Sequence, residues 1–156
     1  MSDHVNPIPD GYSGVSAYLV VRGGNEAIEF YEKVFGAKVQ MLLASPDGSI
    51  GHAELKVGGG LLMLADEVPE MDIKAPPTIG GSATGLMMYV EDVDAVFDAA
   101  IEAGATQFKP VCDQFYGDRS GTFEDPFGHR WTLATRVENV TADEIVSRFE
   151  ELYGDD

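Results

Sequence analysis

The chain has 156 residues, 44% of them hydrophobic, enough for one globular domain with a buried core. Its formal net charge of -17 argues against nucleic acid or an anionic membrane as partner, because phosphate groups would be repelled. The single cysteine, Cys112, excludes an internal disulfide and fits a reduced, cytoplasmic setting.

The acidity has two readings: a solvated, self-repelling surface, or a groove that attracts a cationic ligand. Residues 1–13 form a polar, turn-rich tail with no basic start or apolar run, so no secretion signal is expected. No apolar run approaches the length of a membrane span. From residue 17, "AYLVVRGGNEAIEFYEKVFGA" reads as an apolar strand, a polar turn and an amphipathic helix. Ala27, Ile28, Tyr31, Val34 and Phe35 recur at helical spacing, and Gly36 suits a left-handed cap. Strands follow, with Asp47-Gly48 and Gly58-Gly59-Gly60 as turns.

The Pro- and Gly-rich stretch 67–84 reads as a linker. Then the pattern repeats. "LMMYVEDVDAVFDAAIEAGA", from residue 86, is again strand, turn, helix and Gly-Ala, with Val93, Val96, Phe97, Ala100 and Ile101 as the apolar stripe. Its strand-rich tail holds Cys112 in a loop-like run, a bystander thiol, and ends in "GTFEDPFGHRWTLATR" (121–136). There Asp125-Pro126-Phe127-Gly128 matches a type I turn. Residues 137–156 form a C-terminal helix and acidic tail, opened by a Thr141/Glu144 capping box. Ile145, Phe149 and Leu152 form its stripe, suited to packing or to a dimer contact. The expected fold is α+β: two βαβββ units, about 14–66 and 85–136, forming open cup-shaped mixed sheets with helices outside, plus the C-terminal helix.

The duplicated layout, with "AIEFYEKVFGA" in one half and "DPFGHRW" near the end, resembles the glyoxalase/bleomycin-resistance/dioxygenase superfamily, the vicinal oxygen chelate fold. "YGDRSGTFEDPFGHRW" is similar to its PhnB-like branch. The resemblance covers residues 14 to 136. It implies a divalent metal held by four side chains, and those positions fall on Ser16, Met63, Gly85 and Thr132, related in pairs by one offset of 69 residues. None suits a catalytic divalent cation: glycine has no donor, thioether is soft and neutral hydroxyls are weak ligands. The expectation is therefore no metal and no cofactor. His129, three residues before Thr132, is read as capping a turn.

Strand alternation then gives the cup lining. Tyr18, Met63, Met87, Tyr89 and Phe123 supply apolar and aromatic surface, with Phe123 matched to Glu54 by the offset of 69. Thr132 and Arg136 share the second half's lining, Arg136 standing where related sequences read histidine. Tyr116 and Arg119 border the pocket in the "YGDR" loop, where an Asp-Arg brace is the competing reading. His52 and Glu54, two apart on one strand face, are either an acid–base pair or a solvated pair at the cup mouth.

Three functions stay open on these grounds. The first is a metal-free cup at a homodimer that binds a small organic molecule, aromatic or cationic. The second is a metal-free enzyme with His52 as general base and Glu54 beside it. The third is a metal-dependent lyase, isomerase or dioxygenase using other ligands.

Overall fold

The computed structural model describes residues 4–154. The elements run β1 (Ala17–Val21), α1 (Gly24–Phe35), β2 (Lys38–Ala44), β3 (Ile50–Val57), β4 (Gly60–Asp66), α2 (Pro76–Ile79), β5 (Gly85–Tyr89), α3 (Val93–Glu102), β6 (Thr106–Asp113), β7 (Asp118–Glu124), β8 (Arg130–Arg136) and α4 (Ala142–Tyr153). The chain divides into two compact units at Ala75/Pro76. Each contains one βαβββ repeat and one four-stranded mixed sheet, of order β1-β4-β3-β2 in the first and β5-β8-β7-β6 in the second. The fold is α+β, as the duplicated pattern implies. The 67–84 stretch is partly ordered, with a Val68–Ile73 bridge, a 3-10 turn at Pro69–Met71 and α2.

In the first unit, α1 lays Ala27, Ile28, Tyr31 and Val34 against strand residues Val21, Leu55 and Leu64, all buried. In the second, Phe97 of α3 packs edge-on to Phe123 at 5.8 Å, beside buried Trp131 and Leu133. Each large apolar side chain removed from water contributes about 1.5–3 kcal/mol, so these contacts fix which sheet face meets the helix.

The repeat also reaches the helix starts. Asp66, last in β4, accepts from the backbone N–H groups of Gly23, Gly24 and Ile50 at 2.7–3.0 Å. Thr135, 69 residues later, accepts from Val93 N–H at 3.0 Å and donates to Val90 C=O at 2.7 Å. In both halves a side chain near the end of the final strand satisfies the orphan donors of the helix that follows the first strand.

The repeat breaks at the last hairpin. Gly58 and Gly59, both with positive φ, make a two-residue primed turn between Val57 and Gly60. In the second unit, three residues, 126–128, separate Asp125 from His129, whose C=O accepts from Asp125 N–H at 2.8 Å. The extra residue shifts β7 by one relative to β3. Glu54 opposes Met63, whereas Thr122, not Phe123, opposes Thr132. A one-residue slip moves a side chain to the opposite face. Phe123 is therefore fully buried on the helix side and does not line the cup. Cys112 is likewise not in a loop: it sits exposed on edge strand β6, opposite Ser120.

The 125–129 turn is organised by Asp125, which is 3% exposed. Its Oδ1 accepts from Phe127 and His129 N–H, both at 2.9 Å, and its Oδ2 from the Trp131 indole N–H at 3.0 Å. His129 is buried within this turn.

Candidate ligand-binding site

Each sheet has one face against its helix and one face open. On the first unit's open face, strand pairing aligns Tyr18, Met63, Glu54 and Met41 in one row across four strands. The next row holds Val20, Ala65, His52 and Leu43. Tyr18, Met41 and Leu43 are each 42–57% exposed, large apolar groups presented outward.

Through these rows runs a chain of hydrogen bonds. Tyr18 Oη lies 2.8 Å from His52 Nδ1, and His52 Nε2 lies 3.1 Å from Glu54 Oε1. Glu54 Oε2 accepts from Tyr12 Oη at 2.6 Å and from Gln40 Nε2 at 3.0 Å. Glu54 is only 5% exposed, so the solvated reading of its pairing with His52 does not hold for the carboxylate. The bonds from Tyr12, His52 and Gln40 hold its carboxyl below the usual carboxylate range, and Tyr12 is pushed up by donating to that carboxylate. An ionised carboxylate only accepts, so His52 Nε2 carries the proton towards Glu54. In the neutral ring Nδ1 is then the acceptor, and the Tyr18 phenol donates to it. Glu54 orients His52, and His52 orients Tyr18 outward.

The second unit's open face is different. Met87, Thr132, Thr122 and Lys109 share a row, with the two threonine hydroxyls 2.8 Å apart. Tyr89, Ala134, Ser120 and Cys112 share the next. Met87 and Tyr89 are 54% and 51% exposed. Tyr89 Oη donates to buried Asp118 Oδ2 at 2.6 Å, which raises the Tyr89 phenol, while Arg136 Nε stands 3.9 Å from Asp118 Oδ1.

Arg119 is a correction. Beside Asp118 in sequence, it points to the other face, where it grips both carboxylate oxygens of Asp94 in α3 at 2.7 and 2.8 Å and Asp113 at 3.2 Å. It braces α3 against β6 rather than lining the open face, and Asp118 and Arg119 do not brace each other. Those bonds raise Arg119 and lower Asp94. Tyr116 lies in the turn before β7 with its ring edge-on to Phe115 at 5.1 Å. Sequence reasoning missed Tyr12, placed in the tail, and Gln40. Neither carries a local signal, since both reach Glu54 only through folding.

The positions that the superfamily uses for a metal share one geometry in the two halves. Met63 opposes Tyr18, and Thr132 opposes Met87, the same register in both halves. Ser16 and Gly85 precede those strand positions by two residues. A thioether, a glycine and two hydroxyls do not fit a divalent cation. Among the described residues, no three His, Cys, Asp or Glu side chains group as metal ligands.

Two mixed four-stranded sheets, each built from a βαβββ repeat and each presenting an open face, define a class of small domains with duplicated halves. The chain belongs to the glyoxalase/bleomycin resistance protein/dioxygenase superfamily, whose family model matches residues 3–133. It is 42% identical over 134 residues to the protein Rv0887c of Mycobacterium tuberculosis, covering 84% of this chain and 79% of that one. Among solved structures it is similar to PA1353 of Pseudomonas aeruginosa, with a TM-score of 0.67 and 24% identity over 80% of this chain and 98% of that one. The PhnB protein of Bacillus cereus aligns with a TM-score of 0.63 and 19% identity, over 79% and 99% of the two chains. These two likenesses concern the fold. No helix among the described residues is long and apolar enough to cross a membrane.

Proposed function

We propose that this protein, a PhnB-like member of its superfamily, binds a small organic molecule directly on the open face of its sheets, without a metal, as a homodimer. The supporting observation is the exposed apolar and aromatic surface around the former ligand positions. Tyr18, Met41 and Leu43 flank the His52–Glu54 pair in one unit, and Met87 and Tyr89 stand out in the other. Flat rings and thioethers around a few oriented polar groups are the usual composition of a small-molecule site. In the first unit a cavity of about 420 Å³ adjoins Tyr18, Gly51 and Ala65.

The test is a calorimetric screen of aromatic and cationic compounds, followed by Tyr18→Ala and Tyr89→Ala. A stacking contact is worth about 1 kcal/mol beyond its area, so one of these changes should weaken a hit roughly tenfold with burial included. Hits indifferent to both variants, or one divalent metal per chain retained after dialysis, would remove this reading. Sedimentation analysis checks the dimer.

A second reading is supported by the Tyr18–His52–Glu54 chain: metal-free acid–base catalysis, with His52 as the base and Glu54 holding its tautomer. His52→Ala should then abolish turnover of a cup ligand while leaving the melting temperature nearly unchanged.

A further inference from the structure

Among the described residues ahead of β1, 4–16, hydrogen bonds to the first unit are made at one point. Among residues 4–16, residues 4–11 and 13–15 are exposed. The hydrogen bonds that leave the segment all pass through Tyr12, which donates to Glu54 Oε2 at 2.6 Å and accepts from Gln40 Nε2 at 3.4 Å. Segments with so few buried contacts open at low free-energy cost. The single tether is set on the one buried carboxylate of the open-face row.

That carboxylate is under-supplied with charge. Its partners are a phenol, a primary amide and the His52 ring N–H, and no lysine or arginine among the described residues pairs with it. A cationic donor at the place of the Tyr12 hydroxyl forms a charge-assisted bond, roughly twice as strong as a neutral one. The rest of the row suits the body of such a ligand. Met63 and Met41 flank Glu54, the half-exposed Tyr18 ring follows beyond Met63 in the same row, and an aromatic face attracts a cation. The net charge of -17 draws cations towards the surface.

We propose that Glu54 is the recognition point for a primary ammonium group carried on a flat apolar molecule, and that Tyr12 is a latch whose hydroxyl holds that place until the ligand displaces it. The proposal rests on the open face being a small-molecule site and names the ligand class that this site takes.

The experiment is a calorimetric titration at low salt with 2-phenylethylammonium and its neutral counterpart 2-phenylethanol. Wild type, Tyr12→Phe and Glu54→Gln are compared, all first checked for folding by circular dichroism. The ammonium compound should bind the wild type. Tyr12→Phe should tighten it three- to tenfold, because one hydrogen bond no longer has to be broken. Glu54→Gln should weaken it at least tenfold and change phenylethanol binding less than twofold. In the wild type, saturating 2-phenylethylammonium should speed chymotrypsin cleavage after Tyr12.

Unchanged or weaker binding in Tyr12→Phe, or cleavage that the ligand leaves unchanged or slows, overturns the latch. Unchanged binding in Glu54→Gln overturns the recognition point. If Glu54→Gln fails to fold, the Tyr12→Phe titration and the cleavage rate decide alone. If neutral or anionic aromatics bind with sensitivity to Tyr18→Ala while the ammonium compound does not bind, this proposal fails and the small-molecule reading stands. If nothing binds, both fail.

Discussion

At the scale of single residues, two buried carboxylates do unlike work. Asp125 holds a turn: three donors, two backbone N–H groups and the Trp131 indole, converge on it. Asp125→Ala strands these donors in a buried turn and should cost about 2–4 kcal/mol, read as a lowered urea midpoint and an altered near-ultraviolet signal from Trp131. Glu54 instead lies on the open face, and its effect is visible through pH. Its carboxyl is lowered in the folded state by bonds from Tyr12, His52 and Gln40. A lowered carboxyl stabilises the fold above its unfolded pKa, and that contribution disappears as pH falls through the folded value. Melting temperature followed below about pH 5 should therefore fall less steeply in Glu54→Gln than in the wild type. Identical acid limbs would mean that the three bonds to Glu54 contribute nothing in solution.

At the scale of elements, each helix start is tied to the end of its sheet's final parallel partner. Gly24 shows how close the approach is. A Cβ there would sit 2.8 Å from Ile50 Cγ1 and 2.9 Å from Asp66 Oδ2. Alanine normally favours a helix over glycine. Here Gly24→Ala should instead destabilise by about 1–3 kcal/mol, as overpacking does, and thermal melting decides the sign. The elements themselves were legible because apolar residues alternate along β1, β4 and β8 and recur at helical spacing in α1 and α3. The offset of 69 held wherever no loop length intervened, as in Tyr18 opposite Met63 and Met87 opposite Thr132. It failed for Phe123 because the Pro-Phe-Gly loop between Asp125 and His129 is one residue longer than the Gly-Gly turn, and one residue is half the period of a strand. In the site, His52, Glu54 and Tyr18 were readable from alternation alone. Tyr12 and Gln40 were not. Tyr12 lies outside the periodic pattern, and Gln40 sits at the irregularity between Val39 and Met41 where β2 slips against β3. Arg119 was expected at the pocket because the resemblance makes its segment a bordering loop, whereas it stands on strand β7, where alternation turns it to the face opposite Asp118.

At the scale of the whole molecule, charge dominates what a solvent change will do. There are 27 acidic and 10 basic side chains, so pairing every lysine and arginine still leaves 27 - 10 = 17 carboxylates without a cation. Such an excess repels itself in the compact state and is relieved on unfolding. Salt shortens the range of that repulsion from about 10 Å at 0.1 M to about 3 Å at 1 M. The surface pairs, such as Arg148 with Glu138 and Glu144, are weakened by the same salt, but exposed pairs contribute only about 0–1 kcal/mol each. Relief of repulsion should outweigh their loss, and the melting temperature should climb from 0.05 M to 1 M sodium chloride at pH 7.5. Lowering pH from 8 also removes negative charge and should raise the melting temperature at first. The bonded carboxylates oppose this below about pH 5, because Asp47, Glu54, Asp94 and Glu138 are all lowered in the fold and lose their contribution as they protonate. The curve should therefore peak on the acidic side of neutrality. Sodium chloride and pH act on one excess of charge, so the salt effect should shrink as the pH approaches that peak. A melting temperature that falls with salt at pH 7.5 would show instead that the local ion pairs outweigh the net charge.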